Sequence, residues 1–114
     1  TNVCSDDGTE LTGSFTPYYQ NNEGYCGEVV FTNTTGAVIT DWSATFNLNG
    51  TMMDPNNYWN IDTSGFSDIV TISPQYSWGM VVQPGASIYS HGFCATRPPG
   101  NTSLPSQPMA TGEF

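Results

Sequence analysis

A run of strictly alternating side chains between residues 41 and 49 restricts the fold of this chain more than any other segment. Its apolar members, each followed by Ser, Thr or Asn, are Trp42, Ala44, Phe46 and Leu48. A period of two puts this apolar set on one face of a β-strand and the polar set on the other. The pattern therefore predicts a half-buried strand with Trp42 in the core.

The rest of the chain also favours strands. Ala, Leu, Glu, Lys and Arg are scarce, whereas Thr, Ser, Asn, Gly and aromatic residues are abundant, which disfavours helices. Further strands are predicted at residues 9–16, 25–32, 69–73, 87–94 and, interrupted by Pro105 and Pro108, at 104–111. Seven to nine short strands indicate an all-β fold, a two-sheet antiparallel β-sandwich. With 114 residues we expect a single domain over 1–114, with its core at about 9–111.

The charge composition limits the partners. Ten acidic residues face a single basic residue, Arg97, which gives a formal net charge of −9. Binding to nucleic acid or to an anionic membrane needs clustered Lys and Arg, so neither is expected. No apolar run is long enough for a transmembrane helix, and the first residues do not show the basic-then-apolar pattern of a signal peptide. We expect a mature fragment in which residues 112–114 are a cloning remnant.

Three aromatic clusters lie in polar stretches where the chain has no evident reason to bury them. They are Tyr18-Tyr19, Tyr58-Trp59 and Tyr76-Ser77-Trp78. A large ring removes roughly 150–250 Å² from water when it is covered, so rings flanked by Asn, Gln and Ser indicate a binding surface. Flat uncharged rings beside amide side chains, which both donate and accept hydrogen bonds, suit a carbohydrate.

The three cysteines, Cys4, Cys26 and Cys94, do not form a C-x-x-C pair, so a zinc site is not expected. We predict one disulfide and one odd thiol, with three pairings open. No metal and no cofactor are expected. Three Asn-x-Ser/Thr triplets, at Asn33, Asn49 and Asn101, would accept N-glycans in a secreted eukaryotic protein.

Catalysis is not expected. Glycoside hydrolysis needs two carboxyl groups about 5–9.5 Å apart across a cleft, and the acidic residues lie in polar segments without a recognisable shared site. The only histidine, His91, lies within a strand pattern, and we interpret it as a partly buried or surface strand residue.

The order of the motifs resembles the family 2 carbohydrate-binding modules. The resemblance covers about residues 18–108 and depends on the following sequence words: Val29-Val30-Phe31-Thr32-Asn33-Thr34, Ile39 to Phe46, Asn57-Tyr58-Trp59-Asn60, Val70-Thr71-Ile72, Trp78, Pro84-Gly85-Ala86-Ser87 and Gly92-Phe93. It implies an immunoglobulin-like β-sandwich with a flat face of three aromatic rings that stack on sugar units.

By position, the resemblance assigns two rings to Trp59 and Trp78. Tyr19, or its neighbour Tyr18, is the third, since only one of two adjacent strand residues is expected to face a given side. Asn57 and Gln20 are predicted to bind sugar hydroxyls, whereas Tyr58 and Tyr76 are expected to support the rings. In this sandwich the strands that carry Cys26 and Cys94 lie side by side, which favours a Cys26–Cys94 disulfide, with a bond from Cys4 to either one as the alternative.

The sequence thus predicts a secreted, monomeric, non-catalytic module that holds a parent protein on an insoluble β-1,4-glycan, with cellulose as the preferred polymer. A chitin- or xylan-binding module is the first alternative. A structural or adhesive immunoglobulin-like domain that binds protein is the second.

Overall fold

The computed structural model describes residues 9–88 and 90–114. Cys4 and its possible pairings lie outside these residues. The strands and the one short helix are β1 (Thr9–Thr12), β2 (Ser14–Asn21), β3 (Gly24–Val30), β4 (Asp41–Trp59), β5 (Ile61–Thr63), β6 (Ser67–Pro74), a 3₁₀ helix (Ser77–Gly79), β7 (Gly92–Thr96) and β8 (Met109–Glu113). All strand pairs are antiparallel.

Strand β4 belongs to both layers of the sandwich. Its first half pairs with β8 and β6, and its second half pairs with β7, whose other neighbour is β3. Between the halves, Asn49 and Gly50 have φ angles of 54° and 87°, a conformation that Asn and Gly tolerate best. The strand bends there and passes from the first layer (β1-β8-β4-β6-β5) to the second (β4-β7-β3-β2).

The core lies between these layers, and the alternation of β4 supplies one side of it. Trp42, Ala44, Phe46 and Leu48 are all buried, as predicted. From the second layer, Phe93 packs on Phe46 with ring planes 7° apart and centroids separated by 5.6 Å. The β-sandwich expected from the sequence is confirmed.

Several predicted strand boundaries were wrong. The strand expected at 9–16 is divided at Gly13, where the chain leaves β8 for β3. A Cβ atom on Gly13 would lie 2.8 Å from the Val30 carbonyl oxygen. Among residues 87, 88, 90 and 91, only Ser87 forms a β-bridge, and Ser90 has a φ of 65°, which interrupts an extended strand.

The C-terminal strand also begins later than predicted. Pro105 and Pro108 precede β8, which runs from Met109 to Glu113. Within it, Gly112 pairs with Trp42 and Glu113 with Asp41, so these two residues are part of the sandwich. Two of the three residues that we expected to be a cloning remnant therefore pair with β4 as part of β8.

The Cys26–Cys94 disulfide is present and joins directly opposed residues of β3 and β7. The three glycosylation triplets differ in accessibility. Asn33 is fully buried, and its side-chain nitrogen donates to the carbonyl oxygens of Ala37 and Val82. Its side chain is therefore engaged inside the fold and is not accessible for glycosylation.

Candidate functional site

Trp59 lies on the outer face of the second layer, seated on a glycine. It is the last residue of β4 and pairs with Gly92 of β7. A Cβ atom on Gly92 would lie 2.8 Å from Cζ2 of the indole, so any larger residue would displace the ring. Cys94, two residues further along β7, shares this side of the strand, whereas Phe93 and Ala95 point into the core. Trp59 is half-buried, with the rest of its ring open to solvent.

A bulge in β2 brings both tyrosines to this face. Pro17 pairs with Gly27 and Tyr19 with Cys26, which leaves Tyr18 as the extra residue. Tyr18 is 65% exposed and Tyr19 57% exposed. Tyr19 shares the outer side with Cys26 as its cross-strand partner, and the Tyr18 ring contacts Trp59 with centroids 6.2 Å apart. The expectation that only one of the two tyrosines faces this side was wrong, because a bulge places two residues opposite one.

Trp78 projects from the 3₁₀ helix that follows β6 and is 58% exposed. The Tyr76 ring lies nearly parallel to it, with 12° between the planes and 6.3 Å between the centroids. The helix is fixed to the core, since the buried Trp42 Nε1 donates to the Gly79 carbonyl oxygen at 2.7 Å. The core tryptophan predicted from the β4 pattern thus also positions an exposed one.

His91 lies between Trp42 and Trp78. Its ring centroid is 5.2 Å from that of Trp42 and 5.5 Å from that of Trp78. A Cβ atom on Gly79 would lie only 2.5 Å from His91 Nε2, so glycine is required there. His91 is 2% exposed and precedes β7, in contrast to the half-buried or surface strand residue that we predicted. It supports Trp78 from below.

The rings form two groups, Tyr18 with Trp59 and Tyr76 with Trp78. We call these two groups, together with Tyr19, the ring face. Asn60 connects them. Its carbonyl accepts from the Gln75 amide at 2.9 Å, and its Nδ2 donates to the Ser90 carbonyl at 2.6 Å. The rings do not share one plane, because Tyr18 and Trp59 are inclined at 62°. The sequence had predicted a flat face.

The predicted polar residues differ in their placement. Asn57 is exposed, and its Nδ2 donates to Asp54 Oδ2 at 3.3 Å. Gln20 pairs in register with the buried Tyr25, and its Oε1 accepts a hydrogen bond from Arg97 at 3.1 Å. Asn57 therefore lies beside the ring face, whereas Gln20 belongs to the contacts of Arg97 at the end of β2.

Tyr58 and Tyr76 differ in exposure. Tyr58 is half-buried and packs on Phe66 with centroids 6.0 Å apart, and its support of the binding rings stays a prediction. Tyr76 was assigned the same role, yet it is 48% exposed. The signal was available, because Tyr76 stands in the same polar stretch as Trp78.

The single basic residue, Arg97, makes hydrogen bonds near the end of β2. Arg97 donates to the Asn21 carbonyl at 2.7 Å and lies 5.1 Å from the centre of the Tyr25 ring. Burial raises the pKa of the Tyr25 hydroxyl above its ordinary value of 10.0. Within residues 9–88 and 90–114, no group of three or more His, Cys, Asp or Glu side chains is arranged to hold a metal ion. The same residues contain no helix long and apolar enough to cross a membrane.

The family of the chain follows from a sequence model described as the cellulose-binding domain, which matches residues 12–114. The chain belongs to this family. It is a member of the family 2 carbohydrate-binding modules, as the sequence motifs indicated, and hence a non-catalytic polysaccharide-binding module. No curated protein sequence matches the chain significantly.

A solved structure supports the fold of this carbohydrate-binding module. The solution structure of the chitin-binding domain of Chi18aC from Streptomyces coelicolor aligns with a TM-score of 0.63 at 22% sequence identity, covering 91% of this chain and 92% of that domain. At this identity the likeness establishes the β-sandwich.

Proposed function

We propose that this module binds an insoluble β-1,4-glycan, with cellulose as the first candidate, through the ring face and so attaches a secreted parent protein to it. The observation that carries the proposal is the exposure of Tyr18, Tyr19 and Trp78 at 65%, 57% and 58%. Such rings have no role in the core, and each has large apolar area to cover.

The chemistry of a pyranose suits these rings. A β-linked sugar presents axial C–H bonds on its faces and hydroxyls around its edge, so a phenol or indole covers the apolar face while amides bind the hydroxyls. By analogy with ring pairs in proteins, each stacking contact contributes about 1 kcal/mol beyond burial. Asn57 is expected to bind a hydroxyl, and Gln20 stays a weaker prediction because Arg97 holds its amide oxygen.

The two ring groups are held before any ligand arrives. Gly92 seats Trp59, and the hydrogen bond from Trp42 to the Gly79 carbonyl fixes the turn that carries Trp78. Little conformational entropy is then lost on binding. The net charge of −9 favours a neutral polymer over an anionic one.

Secretion and a monomeric state are part of the same proposal. The Cys26–Cys94 disulfide is typical of proteins from oxidising compartments. A polymer-binding face at one end of the module needs no second copy, and we expect size-exclusion chromatography to give the mass of one chain.

Chitin is the second candidate. A chitin-binding domain shares the fold, and chitin has the same β-1,4 linkage as cellulose. Xylan is the third polymer to be tested, since its backbone also presents apolar sugar faces.

The test is depletion from solution by microcrystalline cellulose, chitin and insoluble xylan. We expect retention on at least one polymer, and about a tenfold loss of affinity, equivalent to about 1.4 kcal/mol, for Trp59→Ala and for Trp78→Ala. Ile69→Ala is the matched control, because Ile69 is 66% exposed and lies on β6 away from the ring face. Wild-type protein that stays in the supernatant with all three polymers would refute the proposed function, and equal binding by both Trp variants would show that the binding face lies elsewhere.

A further inference from the structure

The ring face is interrupted by a hollow of about 240 Å³ beside Tyr19. Asn57 borders it opposite the Tyr19 ring, and the Cys26–Cys94 disulfide and Gly24 contribute to its lining. It adjoins Trp59, because Cys94 follows the glycine seat Gly92 by two strand residues, about 7 Å along β7. A water molecule takes up about 30 Å³ in the liquid, so the hollow admits a substituent of several heavy atoms.

Three elements of the lining bear on a sugar substituent, and Asn21 and the Glu23 carboxylate line the hollow as well. Two sulfur atoms and an aromatic ring supply apolar surface. Asp54 fixes the orientation of the third element, Asn57, because a carboxylate only accepts hydrogen bonds and must therefore face the Asn57 nitrogen, at 3.3 Å. The amide oxygen of Asn57 is then the atom turned away from Asp54, and it is an acceptor.

An apolar surface beside a fixed acceptor fits a substituent that carries both a methyl group and an N–H donor. A secondary acetamide has these two groups side by side. An unsubstituted glucan carries only a hydroxyl group at C2, which has no methyl group to place against the disulfide.

We propose that this hollow is a subsite for the C2 acetamido group of an N-acetylglucosamine unit, whose neighbouring unit stacks on Trp59. The inference rests on the proposed function, since it assumes that the ring face binds the polymer. In this arrangement the acetamide N–H donates to Asn57 Oδ1 and the methyl group lies against the disulfide and the Tyr19 ring. The subsite adds affinity for N-acetylated chains to a face that also binds plain glucan.

The test compares binding isotherms on chitin and on microcrystalline cellulose for wild type, Asn57→Ala and Asn57→Leu. Both variants remove the acceptor, and leucine retains the side-chain bulk. We expect each to lower chitin affinity about fivefold, the effect of one lost hydrogen bond, and to lower cellulose affinity by a clearly smaller factor. Asn56→Ala is the matched control, because Asn56 is an exposed neighbour that meets Asp54 only through its backbone amide.

The outcomes separate this inference from the proposed function. If wild type binds either polymer but Asn57→Ala weakens both equally, or neither, the acetamido subsite is wrong and the ring face stands. If wild type binds neither of these polymers, the subsite fails, and if it also fails to bind insoluble xylan, the proposed function fails with it. NMR spectra give a second readout, because an N-acetylglucosamine hexamer should shift the amide signals of Cys26 and Cys94 more than cellohexaose does.

Discussion

The two ring groups of the ring face are positioned by different means. Trp59 and Tyr18 depend on the second sheet itself, through a glycine seat and a bulge. Trp78 and Tyr76 lie outside the sheets, and their turn is fixed by a hydrogen bond from the core tryptophan Trp42. A binding face can thus be built from strand register at one end and from a core contact at the other. The first kind should respond to changes in the sheet, and the second to changes in the core.

Loss of the disulfide should have the largest effect on stability, and it should affect the ring group of Tyr18 and Trp59, which lies on the second sheet. Cys26 and Cys94 are 68 residues apart in sequence, and a loop of that length gives about 4 kcal/mol of stabilisation in the chain-entropy account. We expect Cys26→Ser with Cys94→Ser to lower the free energy of unfolding by about this amount in denaturant titrations.

Ile69→Ser is the control, because Ile69 is 66% exposed, and it should leave the free energy of unfolding within about 0.5 kcal/mol of wild type. Below the unfolding transition, Trp78 should keep its fluorescence in the double variant, since its turn is held by Trp42. A loss below about 1 kcal/mol for the double variant would contradict the entropic estimate.

Trp42→Phe should have the next largest effect on stability, and it should act on the ring group of Tyr76 and Trp78. The substitution leaves the buried Gly79 carbonyl without the Nε1 donor, which costs about 1–3 kcal/mol. We expect the free energy of unfolding to fall by about 2–3 kcal/mol, with Trp78 emission shifted to longer wavelength.

Phe46→Leu is the comparison for Trp42→Phe, because Phe46 lies in the same core but contacts Phe93. It should lower stability without changing Trp78 emission. Equal emission shifts in the two variants would mean that the turn responds to core packing in general rather than to the Trp42 hydrogen bond.

Much of the fold was predictable because local signals and tertiary packing agree. The alternation around Trp42 marked the core, and the motif order indicated the sandwich and the positions of Trp59 and Trp78. The bulge at Tyr18 was not predictable, because a bulge is fixed by the partner strand and Tyr18-Tyr19 reads equally well as regular strand. The burial of His91 depends on its contact with Gly79, twelve residues away in sequence, and no periodicity in the sequence predicts that contact.

Removal of single tyrosines tests whether both ring groups contact the polymer. Tyr18→Ala and Tyr76→Ala should each weaken binding about fivefold, near 1 kcal/mol per ring, with unchanged stability because both side chains are exposed. The two losses should add in the double variant, since the groups share no ring contact. Isotherms on the preferred polymer measure this, and an unaffected Tyr76→Ala would limit the ring face to Trp78 at that end.

The smallest effect on stability should come from Tyr25, which lies beneath the ring group of Tyr18 and Trp59. This effect should depend on pH. Its hydroxyl lies 2.7 Å from Thr51 Oγ1, which itself donates to the Leu48 carbonyl, so Tyr25 is the donor. Burial raises the pKa of Tyr25 above 10.0. The unfolded chain therefore loses this proton first, and the contribution to stability is complete below about pH 10 and declines as the pH rises through the folded-state pKa.

Tyr25→Phe removes both the hydrogen bond and this titration. At about pH 9 the variant should be less stable by about 1 kcal/mol, a modest cost because Thr51 keeps its bond to Leu48. Denaturant titrations at about pH 9 and about pH 11 should show the difference between wild type and variant shrinking as the pH rises. A difference that stays constant would mean that Tyr25 ionises equally in both states. The sheet beneath Trp59 would then be more open to water than the 2% exposure of Tyr25 indicates.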